Sequence, residues 1–248
     1  MSQTELSETD KTFYDAETQY FSDPSFVPRH QAVVEAYVSK YRSTLAALAQ
    51  KKGRKLSTLE LGAGSCTLSL TLSREPWIGS MRCTDISAHR MSVAAHMIAD
   101  RIGGRIDLLS FSEADFTNPL DFADGQFDVV LFDAALHHTR NMWDTLRECH
   151  RILSDGGLLI AQREQYAAPL TYRWALRKLL RSPEVAAGVS ENSYLKAQYD
   201  YYMRATGFRP DFRAATPGRL PMLWFLNGLV FSKWVIVAER CAHSPVID

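Results

Sequence analysis

Three groups of residues in this chain have the types and the spacing to do chemistry. The first is Glu60-Leu61-Gly62-Ala63-Gly64, which follows a short apolar run and precedes a helix-like segment, Thr67 to Ser73. Glycines in such a turn let the backbone approach a ligand, and the first amides of the following helix point at it. A carboxylate just before the glycines gains nothing from a pyrophosphate but does gain from a cationic ligand. The second is Asp85, which ends Cys83-Thr84-Asp85-Ile86 about 20 residues past the glycines, where a carboxylate can accept both hydroxyls of a ribose. A helix N-terminal aspartate held by the dipole is the structural alternative. The third is His137-His138, because histidine titrates near neutrality and serves as a general base. Helix-start residues making local hydrogen bonds are the alternative there. No metal is expected at this pair, since adjacent side chains diverge and further ligands are not evident.

The elements that must position these groups alternate. Phe13 to Gln50 reads as helical, broken at Pro24 and Pro28, behind a frayed start of about 12 residues. Strands are expected at Lys55–Leu61, Met81–Asp85, Arg105–Leu109, Phe127–Phe132 and Leu158–Gln162. Helices are expected at Ser87–Arg101, stopped by Gly103-Gly104, and at Asn141–Leu153, closed by Asp155-Gly156-Gly157. Strands alternating with helices imply parallel βαβ units and a doubly wound sheet. Ligands then sit beyond the carboxyl ends of the strands, where Glu60, Asp85 and Asp133 fall. After Arg163 the alternation stops: residues 165–205 read as a helical insert, and Phe208–Ala214 and Ser232–Ala238 as two closing strands.

Bulk composition excludes several classes. The 248 residues suit one large domain, or one domain with a cap, and 46% hydrophobic content supports a sizeable core. Lys plus Arg and Asp plus Glu are each 28, so a nucleic-acid partner is not expected. The polar, acidic start lacks a secretory pattern, and no apolar run reaches the roughly 20 residues of a membrane span. Cys66, Cys83, Cys149 and Cys241 are scattered without a C-x-x-C pair, which reads as reduced thiols in the cytoplasm.

Taken together, these motifs resemble the Rossmann-like (class I) S-adenosylmethionine-dependent methyltransferases, the small-molecule group in particular. The likeness covers residues 55–164 in motif detail, and the rest in element order only. It implies an α/β, doubly wound, mostly parallel seven-stranded sheet, with an N-terminal helical lid (1–50) and a helical insert after the fifth strand. S-adenosylmethionine is the implied cofactor. Glu60, Gly62, Ala63 and Gly64 would line its methionine half, with Cys66 standing where the fullest pattern has a third glycine. Asp85 and Ile86 would meet the ribose. Asp115 would accept from the adenine amino group, with Phe116 packed on the ring. Asp133 and Ala134 would flank the methionine moiety, and Tyr14 and Tyr20 would come from the lid.

On the acceptor side, His137 is the first candidate base, with His138, Tyr14 and Glu164 behind it. Arg163, Glu164 and Tyr166 would face the substrate. The segments 165–205 and 216–231 read as a substrate cap, and the apolar 220–231 stretch also as a homodimer surface. The expected reaction is in-line methyl transfer to an oxygen, nitrogen or carbon of a small molecule. A nicotinamide-dependent oxidoreductase shares the first strand and the glycine turn, but Glu60 and Thr67 stand against it. A non-catalytic cofactor-binding protein is the third reading.

Overall fold

A computed structural model describes residues 3–16, 23, 25–215 and 233–242. Helices α1 (Gln3–Ala16), α2 (Phe26–Val38) and α3 (Arg42–Lys52) lead in. There follow β1 (Leu56–Leu61), α4 (Thr67–Leu72), β2 (Ile78–Asp85), α5 (Ala88–Ile102), β3 (Leu109–Glu113), β4 (Phe127–Asp133), α6 (Met142–Ile152) and β5 (Leu153–Gln162). The chain closes with α7 (Tyr172–Leu179), α8 (Pro183–Ala186), α9 (Lys196–Ala205), β6 (Phe208–Ala214) and β7 (Trp234–Arg240).

The sheet has seven strands in the order β3-β2-β1-β4-β5-β7-β6. Strands β1 to β5 are parallel, and β7 runs antiparallel between β5 and β6. The chain lays β2 and β3 on one side of β1 and then returns to place β4 on the other. That reversal opens a crevice at the carboxyl ends of β1 and β4.

The apolar run of β4 is continuous because both of its faces are covered. Val130 and Phe132 pack with Leu59, Leu61, Leu146 and Tyr199 on one face, against α6 and α9. Val129 and Leu131 pack with Val34, Val38, Leu45 and Leu68 on the other, against α2, α3 and α4. Local signals set the helix ends. Ser87 Oγ accepts from Arg90 N–H at the start of α5, and Asn141 Oδ1 accepts from Trp143 and Asp144 at the start of α6.

Several boundaries differ from the sequence reading. The third strand lies four residues later than Arg105–Leu109. Residues Ile106–Leu108 form a 3₁₀ turn, and the edge strand Leu109–Glu113 alternates polar and apolar residues, so no apolar run marks it. The second strand starts at Ile78 rather than Met81. Pro28 does not break its helix, because it sits in the first turn of α2, where its missing N–H costs nothing. The start of the chain is helical from Gln3 rather than frayed. Residues 165–168 are not helical: Tyr166 bridges to Tyr194 in extended form before a 3₁₀ turn at Pro169–Thr171. No described helix is long and apolar enough to cross a membrane. Tyr20 and the apolar 220–231 stretch lie outside the described residues.

Candidate active site

A cavity of about 400 Å³ opens at the carboxyl ends of β1, β2 and β4. On one side the wall is the turn after β1. Gly62 has φ +66°, and a Cβ there would come within 2.8 Å of Ala135 Cβ and 3.1 Å of Phe116 Cε1. Asp85, at the end of β2, is buried. Its Oδ2 accepts from Gly64 N–H at 2.7 Å and its Oδ1 from Ser87 N–H at 2.9 Å. Burial raises its pKa, against the pull of Arg90 and these two amides. Each oxygen keeps a lone pair for a ligand hydroxyl.

Cys66 takes φ +56° at the start of α4, the left-handed conformation a glycine would supply freely. The turn therefore keeps its shape despite the substitution. The Cys66 side chain leaves the cavity and packs among Leu70, Cys83 and Met91. The Cys83 hydrogen bond and burial push its thiol well above the usual range, so the helix N-terminus does not make it a reactive thiolate.

Glu60 departs from its expected place. Its carboxylate is buried beneath α4, not on the cavity wall. There Oε2 accepts from Ser69 N–H at 3.0 Å and from the Ser69 hydroxyl. Burial holds this carboxyl well above the usual range. It secures the helix that follows the glycine turn and offers nothing directly to a cation in the cavity. Asp115 does line the cavity, yet its oxygens already accept from Thr117 N–H, Thr117 Oγ1, Asn118 Nδ2 and Arg140. An adenine amino group would have to displace one of these. Phe116 beside it packs edge-on against Phe132.

The opposite wall is built from β4, β5 and the insert. Two non-glycine residues here also have positive φ: Ala134 at +54° and Arg163 at +57°. Such backbone strain costs roughly 1–3 kcal/mol per residue and concentrates at functional sites. The turn at Arg163 lays its guanidinium on Asp133, with Nε–Oδ1 at 2.5 Å and Nη2–Oδ2 at 2.9 Å. Gln162 Nε2 also donates to Asp133, and Tyr41 donates to Gln162 from the core. His30 of α2 approaches the same guanidinium at 3.5 Å, and burial followed by Arg163 drives its pKa down to about 4.

The same bend carries Glu164 to the start of a 3₁₀ turn, Leu136–His138. Its Oε1 accepts from Ala135 and Leu136 N–H, and its Oε2 from His137 N–H at 3.0 Å. Glu164 Oε2 also lies 2.6 Å from His137 Nδ1, with both side chains buried. A carboxylate at Nδ1 fixes the proton on that nitrogen and leaves the Nε2 lone pair free. His138 Nδ1 lies 2.9 Å from the Ser190 carbonyl, and the Tyr14 hydroxyl is 3.3 Å away. Burial works against a charged His138 ring, but Glu191 and Ser190 outweigh it and the pKa rises.

Residues 59–161 match the family model described as a methyltransferase domain. Over 133 residues the chain is 31% identical to the polyketide synthase-nonribosomal peptide synthetase pyiS of Pyricularia grisea, a match covering 52% of this chain and 3% of that protein. The chain thus spans a small part of this curated relative. A chain in the complex of the Haloferax volcanii Trm112 methyltransferase activator with a methyltransferase superposes at TM-score 0.61 and 18% identity, over 91% of this chain and 97% of that one. The CurJ carbon methyltransferase superposes at 0.54 and 18% identity, over 76% and 49%. These superpositions show a shared fold. Residues 59–161 thus carry a methyltransferase domain, on a fold shared with solved methyltransferases. The nicotinamide reading falls with that assignment.

S-adenosylmethionine is the cofactor of this family, and the methyltransferase's cavity fits it. An open glycine turn, a buried carboxylate with spare lone pairs and an apolar flank of Ile86 and Phe116 converge there. Of the residues singled out in the sequence, Tyr14, Gly62, Ala63, Gly64, Asp85, Ile86, Asp115, Phe116, Asp133, Ala134, His137, His138 and Arg163 line it. Three do not. Glu60 lies under α4, Glu164 stands behind His137, and Tyr166 packs on Tyr199, 5.0 Å between centroids. The sequence reading missed His30, Arg90, Gln165, Glu184, Glu191 and Asp10, all on the wall. They come from four separate segments with no shared motif, so no local signal marks them.

Proposed function

We propose that this methyltransferase moves a methyl group onto a weakly acidic atom of a small organic molecule, and that His137 removes the proton of that atom. The observation that carries this reading is the Glu164–His137 pair, 2.6 Å apart and buried, with His137 on the cavity wall. A base is needed only when the attacking atom starts protonated. When bound, S-adenosylmethionine supplies an electrophilic methyl group. Gly62, Ala63 and Gly64 would hold its methionine end, Asp85 and Ile86 the ribose, and Phe116 the adenine. His137 Nε2 takes the acceptor's proton, while Glu164 orients the ring and stabilises the imidazolium. Glu164 is thus a positioning residue.

A carbon between two carbonyls is the acceptor we favour. Its proton is acidic enough for an imidazole to remove, and among the similar proteins stand a polyketide synthase and a carbon methyltransferase. A phenol is the second reading, since the same base would serve it. Helix α1 supports a lid, because it is tied across the cavity by Asp10–Arg140, Asp15–Ser87 and Lys11–Glu113.

The test is to incubate the protein with methyl-labelled S-adenosylmethionine and either a β-ketoacyl thioester or a phenol. Label on the carbon between the carbonyls supports the favoured reading. Label on the phenol alone selects the second. Cofactor that binds but is never consumed with either would leave His137 without its proposed task.

A further inference from the structure

The two adjacent histidines were expected to diverge. They do not: the 3₁₀ turn brings their rings together, tilted by 40° with centroids 4.2 Å apart. Glu191, from the segment between α8 and α9, reaches both. Its Oε1 lies 3.7 Å from His137 Nε2 and its Oε2 lies 2.8 Å from His138 Nδ1. One donor atom from each of the three residues falls within 4.8 Å of the others.

The Glu191 side chain is only 3% exposed, and its Oε2 meets a single nitrogen, His138 Nδ1, which also approaches the Ser190 carbonyl. A buried carboxylate oxygen served by one shared nitrogen gains from a further cation. The other oxygen of Glu191 is held by Gln165 Nε2, which fixes the group in place.

We propose that His137 Nε2, His138 Nδ1 and Glu191 bind one divalent transition-metal ion of the zinc class. Tetrahedral bonds of 2.0–2.1 Å put neighbouring donors about 3.3 Å apart. One donor of each residue already lies within 4.8 Å of the others, so modest side-chain rotations close the site. Two imidazoles and one carboxylate select zinc, cobalt or iron over magnesium or calcium. Glu164 on His137 Nδ1 is the outer carboxylate that metal-binding histidines commonly carry. His138 gives up its Nδ1 proton as the ion enters. Three protein ligands leave a fourth position open to the cavity. Binding needs nothing from the proposed reaction. Its consequence does rest on that reading: an ion on Nε2 takes the lone pair assigned to the base, so metal-loaded protein is inhibited.

The experiment is a Co²⁺ titration of the chelator-treated full chain, read by visible absorption, followed by displacement with Zn²⁺. One equivalent giving d–d bands is expected, with affinity reduced about ten-fold or more in Glu191→Gln and in His138→Gln. Calorimetric binding of S-adenosylmethionine by each variant reports that it is folded. Absence of the bands in the wild-type protein overturns the proposal. So does unchanged Co²⁺ affinity in both folded variants, which would place the ion elsewhere. Because no acceptor is present, failure of the methyl-transfer reading shows separately, as intact metal binding without turnover.

Discussion

Gly62, Gly64, Asp85 and Phe116 stand on one side of the cavity, and His137, His138, Arg163 and Glu191 on the other, and the two sides are held by different means. On the side we propose for the cofactor the backbone does the work. The turn follows directly from β1, and Asp85 is fixed by β2 and by amides at Gly64 and Ser87. On the side we propose for the acceptor, carboxylates held against basic side chains do it: Asp133 with Arg163, Glu164 with His137, Glu191 with His138. Each pair joins residues far apart in sequence, and removing one member strands the other in a buried place. The cofactor side should therefore answer substitution with lost binding or stability. The acceptor side should answer with lost turnover.

The largest expected effect is at His137. His137→Gln should lower kcat about 10²- to 10⁴-fold, the usual contribution of a general base, with cofactor affinity unchanged. Single-turnover kinetics beside calorimetry checks both halves of that statement. A parallel loss of cofactor affinity would break the division between the two sides.

Next comes Asp85. Asp85→Ala should weaken S-adenosylmethionine about ten- to hundred-fold, the value of hydrogen bonds to a charged group, while circular dichroism stays native. Unchanged affinity, measured by calorimetry, would mean the ribose lies elsewhere in the cavity.

The same contrast explains what could be read from the sequence. That Gly62, Gly64, Asp85 and Phe116 converge on one cavity wall was legible because they lie in short segments at strand ends. Even there one inference failed. Glu60 has the right position for a cation contact, but its side chain alternates to the face covered by α4. The sheet was legible wherever a strand is buried on both faces, as at Phe127 to Phe132, and misplaced at the edge strand Leu109–Glu113. The acceptor side yielded His137 and Arg163 but neither Glu191 nor His30. Their relevance depends on how the insert and α2 fold back, and no local pattern encodes that. The convergence of His137 and His138 was missed for a related reason: a 3₁₀ turn changes the angle between neighbouring side chains.

Gly62→Ala sharpens the cofactor half. The new Cβ would sit 2.8 Å from Ala135 Cβ on a backbone at φ +66°. Strain and overpacking together should cost roughly 1–3 kcal/mol of stability, read as a lower midpoint in urea unfolding. A neutral outcome would show that the turn and the Ala135 segment can move apart.

The smallest effect concerns His30, where α2 meets the acceptor side. Its ring stacks on Phe26, and burial, reinforced by Arg163, lowers its pKa to about 4 from the ordinary 6.5. Between those two values the unfolded chain binds a proton that the folded one refuses. His30 therefore contributes stability in full above about pH 6.5 and loses it progressively as the pH falls toward 4. His30→Gln removes that term, so its melting temperature should fall less steeply than the wild type's between pH 7.5 and roughly 4.5. Asp85 and Glu60, whose pKa values are raised, act with the opposite slope, but they are present in both proteins and cancel in the difference. Parallel curves would show that His30 accepts its proton without disturbing Arg163. The Asp133–Arg163 pair would then be held by β4 and β5 alone, and α2 would have no part in fixing the acceptor side.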